Sequence, residues 1–151
     1  MNVIDLFSGA GGFSSGFIKA GYNIVLANEI DEQIAYTYQK NHPDTLMINE
    51  DIKIFSTNFD EIISKYLEEL NPNEKEKFLY NLKNIDVIIG GPPCQGFSMA
   101  GSRIRKKNAF LDDPRNYLFK YYFKIIQKFE PKYFIIENVP GMKSMKNGMI
   151  L

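Results

Sequence analysis

Five short runs rich in β-branched residues alternate with stretches of helical periodicity, and this alternation most constrains the fold. The runs are residues 3–6, 23–27, 45–48, 85–89 and 133–136. The helical stretches are about residues 12–20, 31–41, 58–70, 74–82 and 114–129. Strands that alternate with helices pair in parallel, each crossover laying a helix on the sheet and returning right-handed. The spacing therefore predicts an α/β, Rossmann-like fold with a mostly parallel sheet and flanking helices. Residues 85–89 and 133–136 are almost continuously apolar, the pattern of strands buried on both faces. The last helix is punctuated by Asp113 as N-cap, Pro114 at its first position and Pro131 past its end.

The 151 residues suit one domain with a real core. Eighteen basic residues balance 18 acidic ones, so a polyanion partner has to be argued from a local patch. No apolar run approaches the ~20 residues of a membrane span. The start passes straight into a strand-like segment without a signal peptide. The single cysteine, Cys94, excludes an intramolecular disulfide and a two-cysteine zinc site, so no metal is expected. A reduced, cytoplasmic setting fits. Residues 58–83, rich in Glu and Lys, read as two surface helices with a solvated face. Leu118, Tyr122, Ile125 and Phe129 recur at helical spacing and read as core.

Chemistry gathers where the strands end. The first run leads into Phe7, Ser8, Gly9, Ala10, Gly11 and Gly12, a glycine-rich strand-to-helix turn that admits close ligand approach and presents a helix N-terminus. The dinucleotide fingerprint requires a third glycine or alanine where Ser14 stands, which weakens a nicotinamide reading. Glu29, beyond the second strand, can accept from both hydroxyls of a ribose. Asp51, beyond the third, can accept from an adenine amino group. Either acid alone reads as a cap or surface residue. At carboxyl ends of adjacent parallel strands they read as ligand groups.

The fourth run ends in GGPPCQGFS, where two glycines turn the backbone and two prolines stiffen it ahead of Cys94. Such a loop holds a thiol outward as a candidate nucleophile, reactive once ionised. Glu137 follows the fifth run. A carboxyl beside a partly dry pocket tends toward a raised pKa and can donate a proton. Ser98, Arg103, Arg105, Lys106 and Lys107 lie just after the nucleophile, as a phosphate-contacting lid or as a solvated loop.

With DLFSGAGGFSSGF, Glu29, Asp51-Ile52, GGPPCQGFS and ENVPG in this order, the chain resembles the DNA cytosine-5 methyltransferase family across residues 2–148. The resemblance implies a methyltransferase version of the predicted fold, with S-adenosyl-L-methionine as cofactor. Phe7 and Leu118 would lie beside the adenine, and Ser8, Gly9, Ala10, Gly11 and Gly12 would surround the methionine part. Glu29 would bind the ribose. Ile30 and Ile52 would pack on the adenine, with Asp51 accepting from its amino group. Cys94 would attack carbon 6 of a cytosine flipped out of double-stranded DNA. Glu137 would protonate ring nitrogen 3, and Pro92, Pro93 and Asn138 would shape the base pocket.

Members of the family are about twice this length or more. The resemblance thus implies a partial catalytic domain over residues 1–151, lacking the target-recognition part and the last strands. Such a piece is expected to need a second chain or the missing region, and to methylate no DNA alone. A non-catalytic cofactor-binding fragment, or the same chemistry on transfer RNA, are the alternatives. The excess of lysine over arginine, with abundant Ile and Asn, suggests an AT-rich microbial genome and a restriction-modification setting.

Overall fold

A computed structural model describes residues 1–93 and 117–137. In chain order the elements are β1 (Asn2–Leu6), α1 (Gly12–Lys19), β2 (Asn23–Glu29), α2 (Glu32–Asn41) and β3 (Leu46–Asn49). There follow α3 (Ile52–Thr57), α4 (Phe59–Leu67), α5 (Pro72–Leu82), β4 (Ile85–Gly90), α6 (Phe119–Phe129) and β5 (Tyr133–Ile136). Among the described residues the strand pairings are all parallel, in the order β3-β2-β1-β4-β5. The chain builds outward from β1 to β3, then crosses back to place β4 on the other side of β1. That reversal opens a crevice at the carboxyl ends of β1 and β4, where open parallel sheets bind ligands.

Alternation along the strands divides the core between the two faces. Ile4, Leu6, Leu26, Ile48 and Ile88 pack with Phe55, Phe59, Ile63, Phe78, Tyr122 and Ile125 from the helices that follow β3 and β4. Val3, Ile24, Val87 and Ile89 pack on the other face with Phe17 and Tyr22 around α1. Each such aliphatic side chain contributes about 1.5–3 kcal/mol on full burial. The charged stretch 58–83 does form two helices joined by a turn, the second opened by an Asn71–Glu74 capping box with Pro72 in its first turn. Their inner faces place Phe59, Ile63, Leu67, Phe78 and Leu82 in the core, leaving the charges outside.

Three expectations are corrected. Residues 52–57 form a helix that the sequence reading left out, because six residues containing Ile52, Ile54 and Thr57 show neither helical period nor length. Helix α6 begins at Phe119 rather than at Pro114: Tyr117 and Leu118 form a tight turn, and the Leu118 carbonyl accepts from Tyr121 at 3.1 Å. Asp113 and Pro114 lie outside the described residues. Third, β5 is apolar without being buried. Tyr133, Phe134 and Ile135 are 63%, 51% and 45% exposed, and among the described residues β5 pairs with β4 alone.

Candidate active site

The loop after β1 bends through three left-handed residues, Phe7 (φ 57°), Gly9 (φ 56°) and Gly11 (φ 93°). A phenylalanine held there costs on the order of 1–3 kcal/mol, which the surrounding bonds must offset. Ser8 donates its backbone N–H to the Asn28 carbonyl at 3.1 Å, and Gly11 donates to the Ser8 carbonyl at 3.1 Å. Beneath the loop lies helix α2. Asn41 donates to the Ala10 carbonyl at 3.2 Å, and the His42 ring lies 3.2 Å from the Gly11 carbonyl. A Cβ on Gly11 would stand 2.3 Å from His42 Nε2, so glycine is needed both for space and for backbone angle.

Ser14 occupies the fingerprint's third glycine position and is fully buried. Its hydroxyl donates to Asp5 Oδ2 at 2.7 Å and lies 2.6 Å from the Tyr38 hydroxyl. Burial first, then the nearby charge of Glu29, pushes the Asp5 carboxyl up to about 7 against the opposing Ser14 bonds. Burial likewise pushes the Tyr38 hydroxyl up to about 12. Sequence reasoning missed Asp5, Tyr38 and His42. The one available signal was a polar residue at a position that packing reserves for glycine.

Glu29 ends β2 with both carboxylate oxygens held: Oε2 accepts from Gly9 N–H and Oε1 from Asp31 N–H, each at 3.0 Å. A carboxylate has about four lone-pair sites, so each oxygen can still accept from a ligand hydroxyl. Asp51 caps α3, its Oδ1 accepting from Lys53 N–H at 2.9 Å. These two acids share a cavity of about 260 Å³ lined by Phe7, Asn28, Glu29, Ile30, Asp51, Ile52, Lys53, Pro93 and Leu118. Six residues singled out from the sequence for the cofactor thus come together around one space: Phe7, Glu29, Ile30, Asp51, Ile52 and Leu118. Ser8, Gly9, Ala10, Gly11 and Gly12 do not line it. They form the adjoining loop, tied to it through the bond from Gly9 to Glu29. Pro93, expected in the base pocket, lines this cavity too. Asn28 and Lys53 are additions that the sequence did not indicate. A larger cavity of about 420 Å³ lies at the amino ends of β2 and β3, lined by Asn23, Thr45 and Phe78 among others, and gathers none of the candidate residues.

At the crevice itself, β4 and β5 end side by side. Glu137 donates its N–H to the Gly90 carbonyl at 2.9 Å, extending the ladder by one bond. Its Oε2 lies 3.1 Å from the point a Cβ on Gly91 would occupy, so the carboxyl rests over the start of the loop that carries Cys94. Glu137 is exposed rather than set in a dry pocket, while Pro92 is buried. Cys94, Ser98, Arg103, Arg105, Lys106, Lys107 and Asn138 lie outside the described residues.

An open parallel sheet with helices on both faces and a two-carboxylate cavity at its carboxyl edge defines a Rossmann-like domain. The model of the C-5 cytosine-specific DNA methylase family matches residues 1–151, and the chain belongs to that family. It is 40% identical over 148 residues to the type II methyltransferase M1.HphI of Haemophilus parahaemolyticus, covering 98% of this chain and 35% of that protein. It is 43% identical over 146 residues to M.DdeI of Desulfomicrobium norvegicum, covering 97% of this chain and 29% of that one. Among solved structures, a candidate DNA modification methyltransferase encoded within an E. coli prophage superposes with a TM-score of 0.68 at 37% identity. That match covers 99% of this chain and 35% of the other. The chain thus spans about a third of the length of these relatives.

Proposed function

We propose that this chain is the cofactor-binding and catalytic front part of an enzyme that methylates carbon 5 of cytosine in DNA. The observation that carries the reading is the 260 Å³ cavity, with acceptor carboxylates on adjacent strand ends between apolar walls. Its volume falls just below the ~300–1,000 Å³ of whole ligand pockets, which suits one nucleoside-sized part of a longer molecule. The donors of an adenosine, two ribose hydroxyls and an amino group, match Glu29 and Asp51. Phe7, Ile30, Ile52 and Leu118 supply surfaces for the adenine, and the loop of Ser8, Gly9, Ala10, Gly11 and Gly12 takes the methionine part. The residues present therefore fit S-adenosyl-L-methionine, which supplies an electrophilic methyl group when bound.

On the target side the reading rests on GPPC and ENV in this family's order. The Cys94 thiolate adds to carbon 6 of a flipped-out cytosine, and Glu137 delivers a proton to ring nitrogen 3, which drives electron density to carbon 5. Carbon 5 takes the methyl group, with S-adenosylhomocysteine as the departing product. Loss of the carbon 5 proton then expels the Cys94 thiolate, nitrogen 3 gives up its proton and the ring is restored. Pro92 and Asn138 shape the base pocket. Ser98, Arg103, Arg105, Lys106 and Lys107 contact the DNA backbone. The chain works with the remaining two-thirds of the relatives' length, in one polypeptide or a second chain, and transfers no methyl group alone.

Two measurements test this. Calorimetry with S-adenosylhomocysteine should show one binding site, weakened at least about tenfold by Glu29→Ala, since a charge-assisted hydrogen bond contributes about 1.5–3 kcal/mol. Absence of binding to the intact chain overturns the cofactor assignment. Labelled methyl transfer to DNA by the purified chain alone should be nil, and incorporation above background overturns the claim that it is a partial enzyme.

A further inference from the structure

At the carboxyl ends of β2 and β3, two asparagine side chains tie the strands together in opposite directions. Asn28, 2% exposed, donates both amide protons across to β3, to the Ile48 carbonyl at 3.0 Å and the Glu50 carbonyl at 2.9 Å. Asn49 donates both of its own back to β2, to the Glu29 carbonyl at 2.9 Å and the Ile30 carbonyl at 3.0 Å. The strands are in register here, Asn28 opposite Ile48 and Glu29 opposite Asn49. Four side-chain bonds therefore hold the backbone where the ladder stops. The Asn28 carbonyl also accepts from Ser8 N–H, which joins the glycine loop to the same knot.

What the knot holds is specific. Asn49 fixes the backbone of Glu29 and of Ile30, the base and rim of one wall of the cavity. Asn28 fixes Glu50, next to Asp51, the base of the other. A carboxylate recognises a hydroxyl only within a few tenths of an ångström of the right place, and a glutamate on a fraying strand end would miss it. An apolar residue at position 28 would fill the same volume and leave the Ile48 and Glu50 carbonyls without these donors.

We infer that Asn28 and Asn49 are positioning residues for nucleoside recognition, setting Glu29 and Asp51 for the ribose and adenine of the cofactor. This rests on the adenosine assignment proposed above. Asn28 and Asn49 touch no reacting atom; they act through the two acids.

The test compares S-adenosylhomocysteine with its 2′-deoxyribose analogue on the intact chain. The wild-type chain should prefer the ribose form by about tenfold or more, because the analogue leaves an acceptor of Glu29 without its hydroxyl. In Asn49→Ala that preference should fall to about threefold or less, with the affinity for the deoxy analogue changed by less than about twofold. Equal weakening of both ligands, or an unchanged preference, overturns the inference and leaves the asparagines as strand ties only. Should Asn49→Ala fail to fold, the isosteric Asn49→Asp removes both donors and is read against the same two outcomes. A wild-type chain that binds neither ligand overturns the adenosine assignment itself, a result distinct from both.

Discussion

The Ser14 hydroxyl donates to the Asp5 carboxylate across 2.7 Å in a place that solvent does not reach, and the same oxygen lies 2.6 Å from the Tyr38 hydroxyl. Ser14 has one proton to donate, so with Asp5 ionised Tyr38 must donate to Ser14. Three elements, β1, α1 and α2, are thereby joined through one side chain directly under the glycine loop. Asp5 Oδ1 has no partner among the described residues, which is consistent with burial dominating its titration.

The chain should lose stability as pH rises from about 4 to about 7. Asp5 titrates at 3.8 when unfolded and at about 7 when folded. Over that window the folded state holds more protons, so the protonated carboxyl's advantage is complete below 3.8 and lost as pH passes about 7. A shift of this size is on the order of 4 kcal/mol. Melting temperatures of the wild type and of Asp5→Asn across this range should converge at the acid end and diverge at the neutral end, the variant being the more stable. Parallel curves would show that Asp5 does not titrate there.

Ser14→Gly restores the fingerprint's glycine and should nonetheless destabilise the chain. It leaves Asp5 Oδ2 and the Tyr38 hydroxyl buried without their shared partner, at about 1–3 kcal/mol for each group left unsatisfied. Urea denaturation measures this. A variant as stable as the wild type would mean that Asp5 and Tyr38 find each other directly.

Glycines 11 and 12 are neighbours with opposite tolerance. Gly11→Ala drives a Cβ to 2.3 Å from His42 Nε2 at φ 93° and should abolish S-adenosylhomocysteine binding while lowering the melting temperature. Gly12→Ala meets nothing within 4 Å at the first residue of α1 and should leave the melting temperature within a few degrees of the wild type. Similar melting temperatures for the two variants would contradict the close packing of His42 against the loop.

Tyr122 is fully buried, and its hydroxyl reaches the Ile88 carbonyl at 2.9 Å and the Ile135 carbonyl at 3.0 Å. Burial keeps that hydroxyl protonated well above the ordinary tyrosine range. It joins β4 to β5, which among the described residues pairs with β4 alone. Tyr122→Phe should cost about 1–2 kcal/mol and speed amide exchange in residues 133–136 more than in β1. Uniform acceleration across the sheet would show that the bond serves global stability alone.

Much of this arrangement was legible in the sequence, for identifiable reasons. The strand-to-helix glycine turn, Glu29 and Asp51 could be placed because parallel topology brings strand carboxyl ends to one edge, whatever the details of packing. Helix α3 escaped because a helix shorter than two turns has no period to detect. The exposure of β5 escaped because an apolar run reports what a strand needs to bury, and only the sheet order says whether a neighbour is there to bury it. Asn28 and Asn49 escaped because their partners are carbonyls of the opposite strand, which carry no residue identity. Seen alone, each asparagine was a polar end to a strand.

His42 is the chain's single histidine, and the chain has no tryptophan. Its ring lies against Tyr38, tilted by 51° with centroids 4.7 Å apart, while Nε2 faces the Gly11 carbonyl. One imidazole seated against the glycine turn yields one set of histidine ring resonances and needs no introduced label. Events at the glycine loop can therefore be followed by proton magnetic resonance in the unmodified molecule, at a site where tryptophan fluorescence would report nothing.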